Sequence, residues 1–197
     1  MPTCWPSSPG DNTGRRGALL ALMALLCMAA AADAADDPLS ASANAAFLAA
    51  NAGKPGTVAR PSGLQYRVLR SGTGRRPGGN DVIRLAYGIR LINGTLVDST
   101  TPVLPATLAM SSVGMAGLAE ALALMHVGDR WQLTIPANLA FGGHGAMNGA
   151  IPPGQTLLLD VTLISAAPPQ PGQSVSENPF SVWGNGRENG ASLTIHP

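Results

Sequence analysis

From position 83 to 91 the chain reads Ile-Arg-Leu-Ala-Tyr-Gly-Ile-Arg-Leu, with every odd position apolar or aromatic. A period of two sends alternate side chains to opposite faces, so this segment is expected to be a half-buried antiparallel strand with Tyr87 facing inward. Asn93-Gly94 follows, a dipeptide suited to positive φ in a tight hairpin, and residues 95–99 form the predicted return strand. The alternation recurs at Arg130–Ile135, where Trp131, Leu133 and Ile135 share a face. In residues 156–164, Leu157, Leu159, Val161 and Leu163 oppose Thr156, Leu158, Asp160 and Thr162. Residues 64–69 and 106–110 supply two more strands, and residues 118–125 form a helix of about two turns. Five to six antiparallel strands and one short helix make an α+β unit in which a curved sheet wraps the helix.

Residues 141–154, FGGHGAMNGAIPPG, separate the last two strands. A plain connection would be shorter and would need no paired prolines. This one reads as a flap over a small apolar pocket whose walls are the rest of the domain.

Outside this unit the pattern changes. Arg15-Arg16 precede the apolar run 17–32, which leads into Ala32-Asp33-Ala34; basic residues, a short apolar run and an A-x-A site describe a secretory signal over residues 1–34. The run falls short of the roughly 20 residues that a spanning helix needs. Residues 35–61 hold a predicted short helix, capped by Ser40 or Ser42 and closed by Asn51 or Gly53, and a linker. Only Phe47 and Leu48 offer that helix an apolar face, so it is expected to be loosely held. The domain proper is placed at residues 62–167. Residues 168–197 are rich in Pro and Gly and lack periodicity, so a disordered tail is expected.

Composition narrows the chemistry. The net charge is +1 and no basic run exceeds two residues, which gives no reason to expect nucleic acid as a partner. Both cysteines, Cys4 and Cys27, lie in the expected signal, leaving no thiol or disulfide chemistry after cleavage. His126, His144 and His196 have no carboxylate cluster around them, so no metal site is expected. The glycine-rich flap lacks the Lys-Ser/Thr of a phosphate loop.

The ordered set Leu64-Gln65-Tyr66, Ala86-Tyr87, Asn93-Gly94-Thr95 with Asp98-Ser99, Pro105-Ala106-Thr107, Glu120-Ala121-Leu122, Val127-Gly128, Leu139-Ala140-Phe141-Gly142 and Ala150-Ile151-Pro152-Pro153 resembles the FKBP-type peptidyl-prolyl cis-trans isomerases. The upstream residues Phe47-Leu48, Lys54-Pro55-Gly56 and Pro61-Ser62-Gly63 look like the exported bacterial branch typified by the macrophage infectivity potentiator. The resemblance implies an FKBP-like fold and rotation about X-Pro bonds in proteins that fold in the periplasm or after secretion. It also implies proline-containing polypeptides as partners, no cofactor, and weak affinity for tacrolimus or rapamycin. No stable membrane insertion is expected after cleavage. A monomer is expected, because little chain precedes the core for the long helical domain of that branch.

Carried over position by position, Tyr87 and Asp98 match the family's tyrosine and aspartate, and Ile151 its apolar flap residue. Met115 falls where a backbone N–H meets the substrate carbonyl. Val97, Leu108 and Leu159 replace phenylalanines, and Leu118 stands for the tryptophan of the pocket floor. Phe141 sits where a tyrosine hydroxyl often donates to the substrate. The implied site therefore has Tyr87, Asp98 and Phe141 as its catalytic set and Val97, Leu108, Met115, Leu118, Ile151 and Leu159 as its substrate-binding wall. The eroded aromatic cage points to a weak isomerase. The alternative is a non-catalytic prolyl-peptide-binding or chaperone module on the same fold.

Overall fold

The computed structural model describes residues 37–170. The expected signal and most of the expected tail lie outside them. Helix α1 (Ala41–Ala52) is followed by strands β1 (Val58–Ala59), β2 (Gln65–Arg70), β3 (Val82–Leu91), β4 (Leu96–Ser99) and β5 (Ala106–Ala109). Helix α2 (Ala116–Leu124), β6 (Arg130–Ile135) and β7 (Leu157–Ala167) complete the unit. The strands form one antiparallel sheet of seven, in the order β1-β2-β6-β7-β3-β4, with β5 also paired to β3. The additional strand is β1, whose two residues pair with Tyr66 and Gln65 and are too short to carry an alternating signature.

The inward row predicted for β3 is the observed one: Ile83, Leu85, Tyr87, Ile89 and Leu91 are all buried. They join Leu133 and Ile135 of β6, and Leu157, Leu159, Val161 and Leu163 of β7, in one core. Leu118, Ala121 and Leu122 of α2 and the following Met125 fill the centre of that core. Burying one such leucine is worth roughly 1.5–3 kcal/mol. Aliphatic packing alone can therefore hold a sheet with few aromatics. Trp131 belongs to this packing, stacked on Tyr66 with ring centroids 4.4 Å apart. The turn-rich segment 71–80 is tied down by buried carboxylates. Asp129 accepts from the amides of Gly72 and His126, and Asp81 from the amide of Gly78 and from Arg75.

Two local features depart from the simple patterns. The hairpin after β3 uses positive φ only at Gly94 (+87°), while the Asn93 side chain accepts from the amide of Thr95. The return strand consequently starts at Leu96. Helix α1 begins at Ser40, whose hydroxyl accepts from the Ala43 amide, but it is not loosely held. Asn44, only 4% exposed, donates to the Gln155 side chain and accepts from the amide of Thr156 at 2.7 Å. Asn51 donates to Gln65 and Thr134, and Gln65 donates back to the Leu48 carbonyl. Polar side chains thus pin α1 to the outer face of the sheet where an apolar stripe is missing.

Candidate functional site

The site begins at the pairing of β3 with β4. Gly88 faces Ser99 and Ile89 faces Asp98, but Arg90 faces Leu96, so Val97 is the extra residue of a β-bulge. Beyond β4 the Tyr87 backbone is fixed at both polar atoms: its N–H donates to the Thr100 hydroxyl and its carbonyl accepts from the Thr100 amide. In this register the Tyr87 hydroxyl donates to Asp98 Oδ2 at 2.7 Å. Burial, and then the hydrogen bond and charge of Asp98, push the Tyr87 hydroxyl well above the usual tyrosine range. It therefore stays a neutral donor. Asp98 is half-buried and, as a carboxylate, keeps further acceptor positions after accepting that one bond.

The structure brings every residue of the predicted wall into the cluster that holds Tyr87. Leu108 comes from β5, Met115 from the residue that precedes α2, Leu118 from α2, Leu159 from β7 and Ile151 from the flap; each is at most 1% exposed. Val97 and Phe141 pack against them while remaining partly exposed. The result is an apolar floor and wall with one polar pair, Tyr87–Asp98, at its side.

The flap is a defined structure. Ala146 and Ile151 exchange both backbone hydrogen bonds (2.9 and 3.1 Å), and the Gly154 amide donates to the Gly142 carbonyl. Gly145 has φ +68°, and a Cβ there would run into the Ile151 carbonyl oxygen, so the closed loop needs glycine at this position. At the tip, Met147 (+54°), Asn148 (+51°) and Gly149 (+91°) form a left-handed turn. Asn and Gly tolerate that region, but methionine adopts it at a cost of about 1–2 kcal/mol. The turn places Met147 partly buried against the core cluster.

Met147 thus packs against the core from a position that the sequence did not single out. Its only sequence signal is the Asn-Gly that follows it, which permits a left-handed turn without showing where the methionine goes. Trp131 is buried in the same core, stacked on Tyr66, and His144 is exposed. Among the described residues no group of three or more His, Cys, Asp or Glu side chains could hold a metal ion. No helix among them is long and apolar enough to cross a membrane.

Comparison with known proteins gives this geometry a family. A model described as FKBP-type peptidyl-prolyl cis-trans isomerase matches residues 73–164, and one described as the domain amino-terminal to such isomerases matches residues 18–68. The outer membrane protein MIP of Legionella longbeachae is 46% identical over 121 residues, covering 61% of this chain and 51% of that protein. The chain spans about half the length of the curated relatives it matches. Among solved structures, a peptidyl-prolyl cis-trans isomerase from Pseudomonas syringae pv. tomato superposes with a TM-score of 0.59 at 31% identity. That match covers 64% of this chain and 92% of the other. FkpA from Escherichia coli gives 0.61 at 29% identity over 82% of this chain and 75% of that one. Fold and sequence agree, and the chain belongs to the FKBP-type peptidyl-prolyl cis-trans isomerase family.

Proposed function

We propose that this chain is a peptidyl-prolyl cis-trans isomerase of reduced activity that assists the folding of exported proteins. The observation that carries the reading is the 2.7 Å Tyr87–Asp98 hydrogen bond beside the buried apolar cluster. The barrier to rotation is the lost amide resonance, about 18–20 kcal/mol. A planar amide is strongly dipolar and a twisted one less so, so a dry wall disfavours the planar forms. Binding the twisted form more tightly than either planar form is sufficient for catalysis. No nucleophile or titrating base is required.

The proposed roles follow from position. Leu108, Met115, Leu118, Ile151 and Leu159 exclude water from the prolyl ring, Val97 and Phe141 border the entrance, and Asp98 orients the peptide with Tyr87 setting its geometry. The reduced rate follows from the aliphatic wall. Each aromatic pair contributes about 0.5–1.5 kcal/mol beyond area burial, and each 1.36 kcal/mol is about tenfold in rate. Weak binding of tacrolimus or rapamycin belongs to the same reading, as does a periplasmic or secreted location. The residue pattern at 1–34 and the name of the Legionella relative support that location. A protease-free assay of cis-trans exchange in a Leu-Pro peptide tests the activity. A rate equal to that of an FKBP with a full aromatic cage would overturn the reduced-rate part.

The second reading, a non-catalytic prolyl-peptide-binding or chaperone module, is favoured by one observation: Val97, Leu108, Leu118 and Leu159 are aliphatic where the family's cage is aromatic. Peptide binding without any rate above buffer would select it.

A further inference from the structure

The sheet face opposite α2 carries a feature that the isomerase reading does not use. Helix α1 lies over one part of that face, where its asparagines meet Gln65, Thr134, Gln155 and Thr156 and its Phe47 shares a cavity with Gln132 and Leu158. The remainder is an open groove of about 850 Å³, within the size of small-ligand and peptide sites. Its floor includes Gly88 and Leu158, and Arg70, Arg90 and Arg130 stand around it with Asp160 as the single carboxylate. Arg130 binds Asp160 through two hydrogen bonds of 2.8 and 2.6 Å, which neutralises that acid. Arg70 and Arg90 donate only to backbone carbonyls, of Gly128 and Gly94. Arg84 extends the row of Arg90 along β3 and is exposed.

The other carboxylates of the domain are engaged elsewhere: Asp81 and Asp129 in their turns, Glu120 with Arg60, and Asp98 with Tyr87. The groove is therefore cationic over an apolar floor. These arginines are far apart in the chain; alternation puts Arg84 and Arg90 on one face of β3, and the irregularity between Val68 and Arg70 brings Arg70 opposite Arg130.

We propose that this groove binds an extended acidic segment of a polypeptide, with its carboxylates on Arg70, Arg84 and Arg90 and its apolar side chains on the floor. A concave site floored by Gly88 suits a chain that can enter it. A flat anionic membrane would reach only the rim. Gly88 provides a clean test. Its φ is not in the left-handed region, and a Cβ there would meet nothing within 4 Å, so a larger side chain fills the groove without strain or clash at the backbone.

The experiment is fluorescence anisotropy of the full chain with a labelled, proline-free peptide in which Asp and Glu alternate with Leu. Its Asn/Gln counterpart and vesicles of phosphatidylglycerol serve as comparisons, and circular dichroism monitors folding. The acidic peptide is expected to bind and the neutral one not. Binding is expected to be lost in Gly88→Leu and to weaken roughly 3- to 10-fold in Arg90→Glu. It should also fade toward 1 M salt, where the Debye length is about 3 Å. Equal binding of the two peptides, wild-type affinity in a folded Gly88→Leu protein, or binding to vesicles alone would overturn the proposal. Arg90→Glu decides the matter alone if Gly88→Leu fails to fold: wild-type affinity in it refutes the site. Because the peptide contains no proline, the outcome is independent of isomerase activity.

Discussion

Tyr87→Phe isolates the bond on which the site is built. The substitution deletes one oxygen from a ring that is 3% exposed, leaving its packing unchanged. What is lost is the 2.7 Å bond to Asp98. A hydrogen bond to a charged partner is worth about 1.5–3 kcal/mol. Asp98 is only half-buried, so water recovers part of that energy, and the expected loss at neutral pH is about 1–2 kcal/mol. With an m-value of roughly 2 kcal/mol/M in urea, the midpoint should fall by about 0.5–1 M.

The same residue makes a second, independent prediction at alkaline pH. The folded pKa of Tyr87 is raised, so above about pH 10 the unfolded tyrosine releases its proton while the folded one retains it. The unfolded state then binds fewer protons, and stability must fall as pH rises, with a slope approaching 1.4 kcal/mol per pH unit at about 25 °C. This contribution is fully present below pH 10 and absent from Tyr87→Phe. Urea titrations at neutral and alkaline pH should show the two proteins converging as pH rises. Equal midpoints at neutral pH, or parallel alkaline slopes, would refute the argument that this hydroxyl is a buried neutral donor to Asp98.

Three further outcomes follow from the geometry. Asn44→Ala should lower stability by about 2–4 kcal/mol, because the Thr156 amide and the Gln155 side chain both lose a buried partner; thermal unfolding checks it, and a loss under 0.5 kcal/mol would contradict the pinning of α1. Gly145→Ala should open the Ala146–Ile151 bridge, seen as faster amide exchange at Ile151, while global stability changes much less than exchange in the flap. Phe141→Tyr should raise kcat/KM on a proline peptide about 2- to 10-fold, and an unchanged value would contradict the placement of this ring beside the substrate.

Much of the fold was legible because its core obeys a strict period. The inward rows of β3, β6 and β7 need only alternation, and Tyr87 was placed correctly by counting odd positions. The anchoring of α1 was not legible. An alanine-rich stretch shows no stripe, and the contribution of Asn44 and Asn51 depends on partners up to 112 residues away. The bulge at Val97 is a property of pairing between strands rather than of either strand alone. The packing of Met147 was not legible for a related reason: it comes from a left-handed turn, and methionine carries no propensity for one. The outer groove was hidden because residues that are separate in sequence become neighbours only through sheet register.

On the proposed reading, an aliphatic wall beside Tyr87 and Asp98 still lowers the barrier to prolyl rotation. Exchange measured without a protease, on a Leu-Pro peptide with wild type and Asp98→Ala, tests it most directly. Acceleration above buffer is expected in the wild type, below that of a full-cage relative, with its loss in Asp98→Ala. A wild-type protein that binds the peptide yet leaves the exchange rate at that of buffer would contradict it.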